Sequence, residues 1–541
     1  MIGEVALQRR ALLGNRLQGR TLPKDPRIVA MACALVLSAA YLVLRPVSSD
    51  LAAQVARADL VHRAGNIGWW TGWMGGLSLP SYSLFVPAGM AWLGVRVVGV
   101  IATLVGTWVG VSLLSDRARP RWGGVALAAS GMADLWAGRV TFVVGFACGT
   151  VALAALRGRR PIAAALLSIL TFFASPLAGL FLGIVALAVF IADPSRRRAA
   201  AASAAGLVTV GVAMQVLFPD TGTMPYRATD MIPPAICCVV VAALCRTPVV
   251  RVGALLLLAA LPLFFFVPGA VGSNIARMAW VGSLPVLVAD AAFTQVTLLA
   301  GIVAVFAWPV SDLVSQVSVV RSPATTAAYY APVTSALQRL QLQTPNSLGE
   351  RVEIVDTVDH WASTYLSSSF ALARGWDRQA DLSRNPLFYR NAPLAAADYH
   401  AWLAQSAVGW VAVPNATLDY ASKREADLIA ARPAYLRRVW TSSTWTVYAV
   451  TDATPLVEGA RVVAVGPSSI TVDVTEPGDV LVRVRWNPYL RAVAGVPGGA
   501  RIECARADAP GILVTAKAPG TIRLVSDFNP VDALATPPRC G

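Results

Sequence analysis

Long apolar runs separated by short arginine clusters constrain this chain more than any other feature of its sequence. The runs are close to the roughly 20 residues that a helix needs to cross a bilayer. Because 56% of the residues are hydrophobic and only 14% are charged, we predict a multi-spanning α-helical membrane protein. The predicted spans, about eleven by this pattern, cover residues 28–45, 82–115, 122–133, 140–156, 161–174, 176–192, 200–218, 232–246, 250–267, 278–291 and 293–310.

Several of these runs are shorter than a full crossing, which is compatible with tilted helices or with broken helices shielded by neighbours. The run 82–115 is instead longer than one span and contains Arg96, which indicates a separate first turn. The number of spans is therefore less constrained than the class of protein.

The arginine clusters fall in alternate connections, and this sets the predicted orientation. Cytoplasmic loops carry an excess of Lys and Arg, so the side that holds the clusters is predicted to be cytoplasmic. A basic leader before the first run also resembles a signal peptide, but its length and the many later spans favour a retained helix with a cytoplasmic N-terminus. The clusters are Arg117, Arg119 and Arg121; Arg157, Arg159 and Arg160; Arg196, Arg197 and Arg198; and Arg246 with Arg251.

This threading predicts a cytoplasmic segment 1–27, a transmembrane domain 28–312 with an exterior loop 46–81, and an exterior domain 313–541 in the plasma membrane of a cell. The net charge of +15 is explained by the anchoring clusters, so nucleic acid is not an expected partner. The lipid bilayer is the expected partner. Oligomeric state is not constrained by the sequence.

The exterior domain carries strand signals and many charges, and it is long enough to fold on its own. We predict a mixed α/β domain that ends in a β-rich module with Pro-Gly and Gly-Gly turns. A disulfide between Cys504 and Cys540 is expected if this region faces an oxidising compartment. The predicted strands are Arg351–Val355, Gly409–Val413, Thr444–Val450, Ser469–Val474 and Val480–Trp486.

Polar residues gather in the exterior loops, at the outer end of the spans. Asp50 follows the first span, and a carboxylate where a span meets the outer surface is a functional-site hypothesis by default. The other polar candidates in these loops are His62, Asp134, Arg139, Arg227, Asn274 and Arg277. The chemistry of the protein is therefore expected at the outer membrane interface.

Each of these features also has a purely structural interpretation. Asp50 can end a helix as a solvated loop acid, and Asp134 with Arg139 can be a surface ion pair. Arg277 can extend to lipid head groups. The loop that holds Trp69, Trp70 and Trp73 can be an interfacial aromatic belt, as amphipathic helices on the surface.

Together the polar residues fit transfer of a sugar from a lipid-borne donor. No nucleotide is supplied outside the membrane, so a glycosyl donor there would be a polyprenyl phosphate sugar. Arginine suits its phosphate because the guanidinium binds oxygens bidentately. A carboxylate near the anomeric carbon can take the proton of the acceptor hydroxyl, and one base is enough for a direct, inverting displacement.

At this point the sequence resembles the GT-C superfamily of polyprenyl-phosphate-sugar glycosyltransferases, including its actinobacterial members. The resemblance covers the layout of the whole chain and short islands of sequence. The islands are Asp50, Leu79-Pro80-Ser81-Tyr82, Asp134-Leu-Trp-Ala-Gly-Arg139, the Ser-Pro-Leu-Ala-Gly-Leu stretch at 175–180, Gly-Ser-Asn-Ile-Ala-Arg at 272–277, Arg374-Gly-Trp-Asp-Arg-Gln379, Asn385-Pro-Leu-Phe-Tyr389 and Tyr399-His-Ala-Trp-Leu403.

The resemblance implies a cell-wall glycosyltransferase in which Asp50 is the general base and Asp134 a second acid. It implies that Arg139 and Arg277 bind the donor phosphate, with Asn274, His62 and Arg227 as further donor-binding candidates. An envelope glycan, glycolipid or protein is the expected acceptor, and arabinofuranose or a mannose-like sugar the expected group transferred. The acceptor-binding candidates are Trp69, Trp70, Trp73, Arg374, Trp376, Asp377 and Arg378.

Two alternatives to an enzyme stay open at this point. One is a transporter or flippase, although no repeated halves and few mid-membrane charges are visible. The other is a non-catalytic envelope scaffold with the same layout. The acceptor candidates Arg374 to Arg378 can likewise be a packing motif in which Arg and Asp pair and Trp fills an interface. Only three His are present, and none has metal-ligand spacing, so a metal is not predicted.

Overall fold

The computed structural model describes residues 25–65, 68–218, 222–292, 299–306, 310, 313–314, 322–344, 348–494, 500–504 and 511–531. Its N-terminal part is a bundle of helices, and its C-terminal part, from residue 322, combines an α/β unit with a β-sandwich. The predicted class, a helical membrane-type domain followed by a β-rich region, is confirmed at this level. The predicted disulfide lies outside the described residues, because it involves Cys540.

Seven of the helices named below for the N-terminal part have a proline at the first or second position, where its fixed φ suits a helical turn. Residues 299–306 are also helical. In chain order the helices are α1 Pro26–Leu44, α2 Ser49–Ala64, α3 Val86–Leu93, α4 Val95–Leu113, α5 Pro120–Trp136, α6 Val140–Arg157, α7 Pro161–Ala174, α8 Pro176–Ala192, α9 Arg197–Leu217, α10 Ile232–Leu244, α11 Pro248–Phe266 and α12 Ala276–Asp290.

Among the described residues, five helices are long and apolar enough to cross a membrane: Pro26–Leu44, Val95–Leu113, Val140–Arg157, Pro194–Leu217 and Pro248–Phe266. Three shorter apolar helices, Pro161–Ala174, Pro176–Ala192 and Ala228–Leu244, lie beside them. A count of about eleven crossings stays a prediction.

One end of the bundle, which we call the arginine end, is held together by the clusters that the sequence placed in alternate loops. Arg157 donates to the carbonyl of Ser112 at 2.7 Å, and Arg196 donates to the carbonyl of Arg157 at 3.1 Å. These side chains satisfy carbonyls at helix C-termini, where cations are favoured.

The opposite end, which we call the tail end, carries the C-terminal part of the chain. The Tyr489 hydroxyl donates to the carbonyl of Leu217, the last residue of α9, at 2.8 Å. Arg96 donates to the carbonyl of Pro46 at 2.7 Å, which ties α4 to the segment after α1. The candidate residues of the exterior loops therefore collect at the end of the bundle that contacts the tail.

The long apolar run 82–115 forms two helices rather than one. A short helix, α3, ends at Gly94, whose φ of +89° is a conformation that favours glycine. The longer α4 then begins at Val95. This break confirms the separate first segment that the length of the run and Arg96 indicated.

The exterior loop 46–81 does not form surface-lying amphipathic helices, and that expectation was wrong. Helix α2 is buried on several faces, including Gln54 at 1% and Arg57 at 2% exposure. A two-residue hairpin, β1 Trp69–Trp70 with β2 Leu77–Ser78, follows it. The loop is buried because the tail packs over it. The local sequence pattern of residues 46–81 does not predict this contact, because the residues that cover the loop lie far away in the chain.

The α/β unit of the tail is built on one four-stranded sheet in the order β3-β4-β6-β5. Strands β3 and β4 are parallel, and β4, β6 and β5 pair antiparallel. The elements are α13 Ala327–Gln343, β3 Arg351–Ile354, α14 Ala362–Tyr365, α15 Arg378–Arg384, α16 Ala396–Gln405, β4 Val408–Pro414, α17 Lys423–Ala430, β5 Leu436–Thr441 and β6 Trp445–Val450.

The last part of the chain is a sandwich of two four-stranded antiparallel sheets, ordered β12-β13-β10-β7 and β11-β14-β9-β8. Alternate residues of these strands face a common apolar core, as expected for a sandwich. Its strands are β7 Val457–Glu458, β8 Arg461–Gly466, β9 Ser469–Val474, β10 Gly478–Val482, β11 Leu490–Ala494, β12 Ala500–Cys504, β13 Ile512–Ala516 and β14 Gly520–Ser526.

Candidate functional site

Two carboxylates share one arginine at the tail end of the bundle. The Nε of Arg139 donates to Asp50 at 3.1 Å, and its Nη1 donates to Asp134 at 3.1 Å. The Asp50 side chain is 32% exposed, whereas those of Arg139 and Asp134 are 10% and 6% exposed. Asp50 is therefore the most solvent-accessible of these three side chains.

A glycine turn brings the three residues together. Asp134 lies in the last turn of α5, and Gly138, with φ of +85°, reverses the chain so that Arg139 opens α6. A Cβ at Gly138 would lie 2.8 Å from the Cα of Leu51 in the first turn of α2. The contact requires glycine, and it seats this turn against the helix that carries Asp50.

Arg277 joins the same site from the first turn of α12. Its Nη2 donates to the Asn274 side chain at 3.0 Å, and its guanidinium lies 5.1 Å from the ring centre of Phe142. It is within electrostatic range of Asp50, Asp134 and Arg139. The structure thus brings together five of the predicted residues: Asp50, Asp134, Arg139, Asn274 and Arg277.

An apolar cavity of about 370 Å³ opens beside this cluster, between α1, α5, α12 and the helical segment after residue 299. Within the described part of the chain, Asp134 and Arg139 are its only charged lining residues. Its size falls in the range typical of ligand pockets, about 300–1,000 Å³. The lining residues are Leu37, Ala129, Ser130, Met132, Ala133, Asp134, Trp136, Ala137, Arg139, Trp280, Val281, Leu284, Phe306, Val310 and Leu313.

The structure adds residues that sequence reasoning did not assign to the site. Gln54, one helical turn after Asp50, donates to the Tyr82 hydroxyl at 2.9 Å, and Thr141 donates to the same oxygen at 3.3 Å. The i, i+4 spacing of Asp50 and Gln54 on one helix face was a usable signal. The position of Tyr82 could not be predicted from the sequence, because it depends on how α2 and α6 pack.

The three tryptophans of the exterior loop are packing residues. Trp69 is 1% exposed and lies in the core of the β-sandwich, while Trp70 and Trp73 are 2% and 0% exposed in the main core. Their burial corrects the expectation that they stack on an acceptor sugar. The tail supplies the neighbours that cover them, so they join the two parts of the chain instead.

The tail motif Arg374 to Arg378 is likewise an interface. The indole of Trp376 donates to the carbonyl of Ser49 at 2.7 Å, directly before Asp50 in the chain. Asp377 accepts from Arg57 of α2 at 2.9 Å. The packing interpretation therefore describes these two residues, and they hold the first turns of α2 against the tail.

The two arginines of this motif are occupied by carboxylates. Arg374 donates to Asp381 at 2.6 Å, and Arg378 donates to both oxygens of Asp419, at 2.9 and 3.0 Å. Burial alone would raise the pKa of Asp419, but the hydrogen bonds from Arg378 and the charge of His360 lower that pKa to about 2. We therefore place no acceptor on these side chains.

A pair of buried glutamates lies behind Arg374. Glu353 and Glu425 are both 0% exposed, and one oxygen of each lies 3.7 and 3.6 Å from the Arg374 Nη1. Burial raises the pKa of Glu425 to about 7, although Arg374 opposes the shift. Burial and the neighbouring Glu425 raise the pKa of Glu353 well above its ordinary value. Burial therefore favours the protonated form of this pair.

Among the described residues, two predicted donor-binding residues, His62 and Arg227, form no hydrogen bond or ion pair with the cluster. His62 is exposed near the end of α2, twelve residues after Asp50 and hence about 18 Å along the helix. Arg227 is exposed and caps a short turn through Asp230, and it is within electrostatic range of Tyr420 in the tail. Both lie in segments that were predicted to be exterior loops, but a shared side of the membrane does not by itself bring two residues into contact.

Among the described residues, no cluster of three or more His, Cys, Asp and Glu side chains could hold a metal ion. The arrangement instead combines a reachable carboxylate, two arginines and an apolar cavity. Such a set can bind an anion with an attached apolar chain, and it can accept a proton.

No protein-family profile and no curated protein sequence matches this chain. Among solved structures, it is similar to the cryo-EM structure of the arabinofuranosyltransferase AftD from Mycobacteria, with 13% sequence identity and a TM-score of 0.39. The match covers 86% of this chain and 42% of that chain, so this chain spans less than half of that protein. A similarity of this extent carries no argument about function.

Proposed function

We propose that this protein is a membrane glycosyltransferase that moves a sugar from a polyprenyl phosphate donor to an acceptor at the outer membrane face. The observation that carries the proposal is the charged cluster of Asp50, Asp134 and Arg139, with Arg277 beside it, at an apolar cavity. A lipid phosphate matches this site in two ways: its anionic head can bind the arginines, and its apolar chain can fill the cavity.

The cavity would hold the first isoprene units of the donor. Its apolar walls favour hydrocarbon, since burying each CH₂ contributes about 0.8 kcal/mol. Arg139 lines the cavity, and Arg277 lies within electrostatic range of Arg139. Both guanidinium groups can bind phosphate oxygens and stabilise the charge that grows as the phosphate leaves.

Asp50 would act as general base. Its carboxylate takes the proton of the acceptor hydroxyl while the acceptor oxygen bonds to the anomeric carbon. The bond from that carbon to the phosphate oxygen breaks, and polyprenyl phosphate departs with the electron pair. A single displacement inverts the anomeric configuration. Asp134, which is buried against Arg139, would keep this arginine oriented toward the phosphate.

The proposal includes an orientation in the plasma membrane. The arginine end would face the cytoplasm, with segment 1–27, and the tail would face outward, after about eleven crossings by residues 28–312. The distribution of arginine supports this, because Arg157 and Arg196 meet at one end and the candidate site lies at the other.

The sugar and the acceptor are the least constrained parts of the proposal. The sequence resemblance favours arabinofuranose or a mannose-like sugar and an envelope glycan, glycolipid or protein. The acceptor would approach Asp50 from its exposed side. With the tryptophans and the Arg374 motif engaged in packing, that approach lies over the loop between α1 and α2.

A transporter or flippase is the second candidate, because an apolar cavity beside charged residues would also suit a protein that moves a lipid. The charged residues that line it, Asp134 and Arg139, both lie at its tail end, which suits interfacial chemistry better than alternating access.

The test uses the full chain in proteoliposomes with radiolabelled polyprenyl-phosphate arabinose or mannose. We expect transfer to envelope glycan acceptors and no solute uptake. Ala133→Phe, which fills the cavity, should lower transfer at least tenfold, whereas Leu166→Phe on an exposed helix face should not. Uptake or lipid translocation without transfer would contradict the enzyme and favour the second candidate.

A further inference from the structure

The hydroxyl of Tyr82 has its two acceptor positions filled. Gln54 donates to it at 2.9 Å and Thr141 at 3.3 Å. A phenol has two lone pairs and one proton, so its own proton must point in a third direction. Among the described residues, no acceptor takes that proton. Tyr82 is therefore a positioned donor that lacks an acceptor.

The ring of Tyr82 packs against the guanidinium of a buried arginine. The guanidinium of Arg57 lies 4.0 Å from its centre, a distance at which cation–π attraction is effective. Arg57 is 2% exposed and is itself fixed by Asp377 at 2.9 Å. The hydroxyl is therefore preorganised, and an acceptor that reaches it meets a donor already in place.

Two more donors without acceptors lie on α12. Within the described residues, the Nε of Arg277 and the Nε1 of Trp280 are enclosed and have no hydrogen-bond partner. Positions three apart lie on one helix face, and Trp280 lines the cavity. Arg277 is within electrostatic range of Tyr82. Enclosed donors without acceptors are costly. Tyr82 and Arg277 both contact the first turn of α6, through Thr141 and Phe142, and Trp280 lies one turn along α12 from Arg277.

We propose that Tyr82, Arg277 and Trp280 form a donor subsite for the phosphate oxygens of a polyprenyl phosphate. Tyr82 and Trp280 are the new members, and they supply neutral N–H and O–H groups beside the charge of Arg277. The ligand is an oxyanion on an apolar chain, because Trp280 lines the apolar cavity and Arg277 is within electrostatic range of both Tyr82 and the cavity residue Arg139. The identity of the chain as a glycosyl donor rests on the proposed function.

The subsite also gives Tyr82 a role during transfer. Negative charge grows on the phosphate as its bond to the anomeric carbon breaks, and a fixed donor is worth more as that charge develops. Removing the hydroxyl would then weaken binding of the product, polyprenyl phosphate, and slow the chemical step. A tyrosine that only packs would change neither.

The test measures binding rather than transfer. The full chain in nanodiscs of phosphatidylcholine is titrated with a polyprenyl monophosphate and, separately, with the polyprenyl alcohol of the same length. Tyr82→Phe and Trp280→Phe should each weaken phosphate binding about tenfold, since hydrogen bonds to charged groups are strong ones. Binding of the alcohol should be unchanged, as should both affinities in Tyr435→Phe, whose hydroxyl bonds a backbone carbonyl of the tail.

Inorganic phosphate distinguishes the lipid from a free anion. It should compete only weakly in the wild type, because it gains nothing from the cavity. Competition as strong as that of the lipid phosphate would overturn the assignment to a lipid. Equal affinity of Tyr82→Phe and wild type for the lipid phosphate would overturn the subsite, even if transfer is observed. Selective loss in a protein without transfer activity would support the subsite and contradict the proposed function.

Discussion

The carboxylate of Asp50 accepts a 3.1 Å hydrogen bond from the Nε of Arg139. This contact joins the first turn of α2 to the first turn of α6, and it pairs the proposed base with a proposed phosphate ligand. A phosphate that binds Arg139 competes with Asp50 for the same guanidinium. Binding of the donor would thereby release the carboxylate to take a proton.

Gly138 is expected to be essential for this geometry. In Gly138→Ala the new Cβ would lie 2.8 Å from the Cα of Leu51, at a φ of +85°. Strain of this kind costs about 1–3 kcal/mol, and relief would move α2 away from Arg139. We expect at least a tenfold loss of transfer, measured with the labelled lipid donor. Gly94→Ala is the control, because its φ of +89° is similar but no atom lies within 4 Å. Equal losses in both variants would contradict the account.

The ion pair of Arg57 with Asp377 is expected to stabilise the contact between α2 and the tail. Removing one partner leaves a buried charge, which costs about 3–5 kcal/mol. Asp377→Asn should therefore lower the apparent melting temperature in detergent by several degrees. The exposed pair of Arg63 with Asp59 is the control. Asp59→Asn should lower the melting temperature far less, since surface pairs contribute about 0–1 kcal/mol. A double-mutant cycle without coupling between Arg57 and Asp377 would sink the prediction.

The stability of the tail is expected to fall as the pH rises. The folded pKa of Glu425 is about 7, above the ordinary value of 4.5, because of its burial. The folded state then binds more protons than the unfolded state, so this contribution to stability is full below about pH 4.5 and is lost as the pH rises toward 7.

Melting temperatures measured from pH 4.5 to 8 check this slope. Glu425→Gln should reduce it, because the amide keeps an oxygen to accept from Tyr399 without a charge, and Glu353, whose pKa burial also raises, accounts for the slope that remains. Asp427→Asn, an exposed position on the same helix, should leave it unchanged. A slope as steep in Glu425→Gln as in the wild type would contradict the assignment to Glu425.

The sequence was most informative where local pattern decides structure. The strand signals at 351–355, 409–413, 444–450 and 469–474 mark strands that the structure contains at nearly the same residues. The signal at 480–486 is only partly a strand, because β10 ends at Val482. Alternation and β-branched content predict such segments without knowledge of their partners.

The site was predictable to the extent that it depends on which loops share one end of the bundle. Threading grouped Asp50 with Asp134, Arg139 and Arg277, and these residues lie together. Threading gives no distances within an end of the bundle, so His62 and Arg227 were grouped with them although neither forms a hydrogen bond or ion pair with the cluster among the described residues. The burial of Trp73 was not predictable either, because the neighbours that cover it lie about three hundred residues later in the chain.

The central claim is that Asp50 is the base of a glycosyl transfer, and one comparison tests it most directly. Asp50→Asn and Asp59→Asn both change a carboxylate of α2, but only Asp50 contacts Arg139. Transfer from a polyprenyl-phosphate sugar to acceptor is measured for both in proteoliposomes, with binding of the lipid phosphate as a second readout. We predict that Asp50→Asn loses at least a hundredfold in transfer rate and still binds the lipid, while Asp59→Asn keeps both. Full transfer by Asp50→Asn would contradict the account.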